Sequence, residues 1–124
     1  MKGYQFYMQD FKINILGSEW SVKFGNEKEY PNLEKMDGYS DSSVREIVVC
    51  DMKSSQGQAG AKADLERYQK QVVRHEVIHA FLAESGLDSS SGAVKSWATN
   101  EEMVDWFAIQ SPKIFKLFSE LELM

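Results

Sequence analysis

Residues 64–87 read DLERYQKQVVRHEVIHAFLAESGL, and their period decides the fold. Leu65, Tyr68, Val72, His75, His79 and Leu82 recur at threes and fours, the spacing that gathers side chains on one side of an α-helix. Gly86 stands where a left-handed residue stops such a helix, with Leu87 following as the usual apolar contact. The sequence before this helix reads as strands. Val44–Cys50, VREIVVC, concentrates β-branched residues. Trp20–Phe24 alternates strictly and, with the looser Phe11–Leu16 and a turn at Gly17–Ser18, predicts a hairpin over 11–24. Residues 25–43 hold Pro31, Gly38 and the cluster Ser40–Asp41–Ser42–Ser43, so they read as loop with a short helical turn around Leu33–Met36. After a polar connection at 88–96, DSSSGAVKS, a second helix is expected from Thr99 to Gln110. A third is expected from Ser111 as N-cap and Pro112 as first helical residue, running through Leu123. Strands followed by helices make this an α+β domain: about three strands, the long helix and two further helices.

The composition narrows the function. A chain of 124 residues forms a single domain, 1–124, and 43% hydrophobic with 27% charged residues suits a folded one. Fourteen Lys and Arg against nineteen Asp and Glu argue against a nucleic-acid binder. No apolar run approaches the roughly 18 residues of a membrane span, and Asp10 and Lys12 interrupt any signal core. Cys50 is the one cysteine, which fits a reducing cytoplasm, and its place at the end of an apolar strand makes it a small buried hydrophobe. Both histidines of the chain lie within five residues.

Those five, His75–Glu76–Val77–Ile78–His79, are HExxH in the middle of the helix. Residues four apart on a helix rise about 6 Å and project to one side, so two imidazoles can converge on one Zn²⁺. Glu76, beside the first ligand, is then the general base for a zinc-bound water whose pKa falls toward ~7. The bland alternative is a pair of half-buried histidines satisfied by polar neighbours.

A catalytic zinc needs a third protein ligand and an open position. With no other histidine, the ligand is expected to be a carboxylate from Thr99–Asn100–Glu101–Glu102–Met103–Val104–Asp105. Glu101 and Asp105 are four apart and share a face with Val104 and Ala108. Glu102 points about 100° away, and with Thr99 as N-cap it would complete a capping box. Glu101 is therefore the expected ligand, and Asp105 the partner that accepts the free ring N–H of a ligating histidine. An acidic residue favoured by the positive end of a helix is the plainer reading of Glu101.

HEVIHAFL, followed by NEEMVD beginning 21 residues after His79, resembles the gluzincin branch of zinc metallopeptidases, in which HExxH is joined by a glutamate in an N-E-x-x-x-D setting. With VREIVVCDM before and WATNEEMVDWFA after, residues 44–110 look like the very small metallopeptidase-like proteins of phages and prophages. The resemblance implies a zincin-like fold and a peptidase. It also implies that the strand at 44–49 lines the cleft and offers its backbone to an extended peptide. Larger gluzincins supply an extra His or Tyr to the oxyanion. Here Tyr39 and Tyr68 are the candidates, each also readable as a packing aromatic, and Arg45 and Arg74 otherwise read as solvated charges. Trp97, Trp106 and Phe107 are expected to pack the second helix on the core. The last helix is apolar on more than one side through Phe115, Phe118 and Leu121, so part of it is a candidate surface for self-association. The expectation is a zinc-dependent peptidase acting on a peptide or protein, with no nucleic acid or membrane partner. The alternative is a catalytically weak or inactive zinc-stabilised module that binds peptide or protein.

Overall fold

A computed structural model describes residues 8–53, 57, 60, 62–87 and 99–124. The expected hairpin is present as β1 (Phe11–Ile15) and β2 (Ser18–Gly25), antiparallel with Ile15 opposite Ser18. Its two-residue turn is Leu16–Gly17, with φ of 52° and 96°. Two left-handed residues match the twist of the flanking strands, and the Gly17 N–H donates to Asn14 Oδ1 at 2.8 Å. Residues 26–37 include the 3-10 turn Pro31–Glu34, slightly earlier than expected.

The sheet has four strands, not three. The additional one is β3 (Gly38–Asp41), followed by β4 (Glu46–Cys50), and the order is β1-β2-β4-β3. β2 and β4 run parallel, while β3 pairs with β4 antiparallel, with Gly38 opposite Val49 and Asp41 opposite Glu46. β3 escapes a pattern search because GYSD is short and polar, as sheet edges often are. β4 is central, and Ile47, Val48 and Val49 are each 0% exposed. A strand covered on both faces loses its alternation, which explains the unbroken IVV.

One helix covers one face of this sheet. α1 (Leu65–Glu84) starts at Asp64, whose Oδ1 accepts the Arg67 N–H at 3.0 Å, and stops at Gly86 with φ of 85°. Its Val72 and Ala80 join Ile15, Trp20, Val22, Ile47, Val49 and Met52 in the core. At its C-terminal end Glu84 accepts from Trp20 Nε1 at 2.7 Å, Ser18 Oγ at 3.0 Å, and Arg45 Nε and Nη2 at 2.9 and 3.1 Å. A carboxylate in a last helical turn opposes the helix dipole; four donors, two from one guanidinium, outweigh that. Arg45 is therefore no free surface charge but a strap from the β3–β4 connection to α1.

Beyond the connection lies a single helix where two were expected. α2 (Glu101–Glu120) runs through Ser111 and Pro112 without a break. Its N-cap is Asn100, whose Oδ1 accepts the Met103 N–H at 2.9 Å. The capping box of Thr99 and Glu102 is thus overturned: with Asn100 as cap, the third helical position belongs to Met103. Pro112 is accommodated by a partner outside the helix. Proline has no N–H for the carbonyl four residues back, and that carbonyl, Ala108, accepts from Arg74 Nε at 2.6 Å. Trp106 is 58% exposed rather than packed on the core, and Phe107 stacks edge-on against Phe115. Trp97 and the 88–96 connection lie outside the described residues. No helix among the described residues is long and apolar enough to cross a membrane.

Two stability measurements follow. Hydrogen bonding by Arg45, with help from Trp20 and Ser18, holds the Glu84 carboxyl down to about 2. A depressed carboxylate stabilises the fold above the ordinary range near pH 4 and loses that contribution as the pH falls toward 2. Thermal unfolding of Glu84→Gln is therefore expected to show a lower Tm than wild type at pH 7 and a difference that closes by pH 2; a constant difference contradicts the clamp. Asn100→Ala is expected to lower stability by about 1 kcal/mol, with Thr99→Ala near neutral; the reverse order restores the capping box.

Candidate metal centre

The stripe that carries the histidines turns them away from the sheet and toward α2. Glu101 Oε1 lies 3.0 Å from His75 Nε2 and 2.9 Å from His79 Nε2. Asp105 Oδ1 lies 3.3 Å from His75 Nδ1. One turn further along α2, Ala108 meets Arg74. Ascending α2 thus descends α1, so the helices are antiparallel. Glu101, Asp105 and Ala108, spaced by four and three, share the facing side. Val104 and Ala108, both 0% exposed, form the apolar floor of this contact.

The donor set fits a cation. His75 Nε2, His79 Nε2 and a Glu101 oxygen belong to a group whose ligand atoms all lie within 4.8 Å of one another. Tetrahedral zinc with bonds of about 2.0–2.2 Å separates its ligand atoms by about 3.4 Å. Glu101, exposed at the first turn of α2, would retreat by a few tenths of an ångström to admit the ion. His75 faces a carboxylate at both ring nitrogens, whereas a neutral imidazole carries one N–H. A cation at Nε2 leaves that N–H on Nδ1 for Asp105, which fixes the tautomer. Glu102 is exposed and outside the group.

Glu76 follows His75 by 100° and therefore faces the sheet edge instead of α2. It is 6% exposed, beside Gly38, where a Cβ would stand 2.7 Å from Val72 Cγ1 and 3.4 Å from Glu76 Cγ. Only glycine lets β3 come this close to α1. Burial pushes the Glu76 carboxyl up to about 7; His79 and the Ser40 hydroxyl draw it down, and Glu101 adds to the rise. Ser40 was missed because a Ser–Asp–Ser–Ser run reads as loop. Its spacing of two from Gly38 is the signal that both face the helix.

The tyrosines separate. Tyr68 lines a cleft of about 390 Å³ with Asp37, Gly38, His75, Glu76 and Asp105. Its hydroxyl donates to Asp37 Oδ2, and burial together with that bond pushes its pKa well above the ordinary range. Tyr39 is not brought to the site. It stands in register with Val48 and Lys23 on the far face of the sheet, where burial and the nearby Glu46 raise its pKa. Arg45 and Arg74 are committed to Glu84 and Ala108. Cys50, away from the donor set, has its thiol pushed up by burial.

The backbone facing the cleft is not the one expected. Residues 46–49 are paired on both sides, so they have no free edge for a peptide. Among the described residues β1 and β3 are the edge strands, and β3, which pairs only with β4, is the one whose Gly38 lines the cleft.

No protein-family profile, no curated protein and no solved structure matches the chain.

Proposed function

We propose that the chain is a zinc-dependent peptidase of the gluzincin kind, of the small type found in phages and prophages. The observation that carries this reading is the convergence of His75, His79 and Glu101 beside a buried Glu76, next to a cleft lined by His75, Glu76, Asp105 and Gly38 of the edge strand β3. His75, His79 and Glu101 would hold the ion, with Asp105 against the other ring nitrogen of His75. Zinc, when bound, supplies Lewis acidity toward a carbonyl and a water activated at neutral pH. The protein supplies the rest. β3 offers its free N–H and C=O groups to an extended peptide by strand addition. Glu76 takes the proton of the attacking water and returns it to the leaving amine. The nearby Ser40 hydroxyl favours the ionised form of Glu76. The substrate is a peptide or protein, and the acidic chain, with one cysteine, fits a reducing cytoplasm and neither a nucleic-acid nor a membrane partner.

One observation favours the second reading, a zinc-stabilised module that binds peptide without cleaving it. The Tyr68 hydroxyl, the aromatic donor in the cleft, is already given to Asp37. A donor turned away from the reacting carbonyl adds nothing to the transition state.

Titration with zinc tests the centre. Asp105→Ala is expected to weaken zinc binding about 10–100-fold, Glu101→Ala further still, and Glu102→Ala not at all; a larger loss at Glu102 refutes the ligand set. For the chemistry, Glu76→Gln is expected to bind zinc like wild type and to cleave a peptide library about 10²–10⁴-fold more slowly. Equal inertness of both proteins, with zinc and peptide still bound, supports the module instead.

A further inference from the structure

Pro112 leaves α2 with a defect that the helix cannot repair by itself. In an α-helix the N–H of residue i bonds the carbonyl of residue i−4, so the Ala108 carbonyl has no donor at 112. Ala108 is 0% exposed, and a buried carbonyl without a donor is unfavourable. The donor comes from α1: Arg74 Nε lies 2.6 Å from the Ala108 oxygen. Arg74 is next in sequence to His75, and Ala108 lies on the α2 face that carries Glu101 and Asp105. The same pair of helix faces therefore holds the donor set at one end and this bond at the other.

We infer that Arg74 is a positioning residue for the metal centre: through the carbonyl exposed by Pro112 it fixes the depth and rotation of α2 on α1. Glu101 and Asp105 are thereby delivered to His75 and His79. The inference rests on the ligand set proposed above but not on peptidase activity. α2 makes its principal contacts with α1, and the floor of Val104 and Ala108 is small and smooth. Apolar contact of that kind resists separation of two helices far better than it resists sliding or rotation. A directional bond resists both.

The test is a cycle of full-length proteins titrated with zinc alone: wild type, Arg74→Ala, Pro112→Ala and the double variant. Arg74→Ala is expected to weaken zinc about tenfold or more. Pro112→Ala restores an N–H at 112 for the Ala108 carbonyl, so the Arg74→Ala loss is expected to shrink to less than about threefold in that background. An Arg74 that served general stability alone would lose the same factor in both backgrounds, and that result overturns the inference, as does no loss in either. Arg74→Met, which keeps an unbranched apolar stem and removes every donor, carries the same comparison should the alanine variant not fold. Hydrogen exchange under chelation gives a metal-free readout: amides 104–110 are expected to lose protection in Arg74→Ala while those of β2 and β4 keep theirs. Unchanged exchange at 104–110 overturns the inference. A wild type that binds no zinc refutes the ligand set, and the exchange comparison then judges Arg74 separately.

Discussion

Everything in the molecule hangs on α1, because a helix advances by 100° per residue and α1 is packed on two sides. Val72, Glu76, Ala80 and Glu84, spaced by four, form the side against the sheet. Arg74, His75 and His79 form the side against α2. Adjacent residues 75 and 76 consequently serve different neighbours: one points to a carboxylate on α2 and the other to the strand edge. The cleft lies in the angle between them. The same constraint explains why a candidate ligand, His75, and the candidate base, Glu76, can be consecutive in sequence without competing for one space.

The side against the sheet carries two acids with opposite environments. Glu84 meets four donors, among them a guanidinium, and stays ionised far into acid. Glu76, two turns earlier, meets a single hydroxyl in a drier place and is pushed up to about 7. Neither environment is encoded next door. The partners of Glu84 are 39 to 66 residues away, and those of Glu76 sit on β3. The fold, not the identity of the residue, makes one glutamate a structural anchor and leaves the other buried with a raised pKa.

The sequence was readable where local chemistry decides the outcome. The long helix, its stop at Gly86, the hairpin and the β-branched strand all follow from period and turn chemistry. So does the choice of Glu101 and Asp105, since a spacing of four keeps two residues on one face wherever the helix begins. For that reason the shared face of Glu101 and Asp105 survives an error in the cap: Asn100 rather than Thr99 closes the helix, yet the face is unchanged. What could not be read depends on tertiary partners. Pro112 looks like a helix start because the group that compensates for it is on another helix. Tyr39 and Tyr68 were indistinguishable until β3 existed to place one on each side of the sheet.

β3 also bears on how the sheet would meet a second copy of itself. An edge strand that is open to a peptide is open to another copy of itself. Asp37 and Asp41 lie symmetrically about Tyr39. Two such edges meeting antiparallel, with Tyr39 opposite Tyr39, set each Asp37 against an Asp41, and like charges placed directly across a ladder repel. A passing peptide without matching acids feels no such repulsion. The polar, four-residue character that hid this strand from a hydrophobic pattern thus also weighs against pairing of this edge with its own copy.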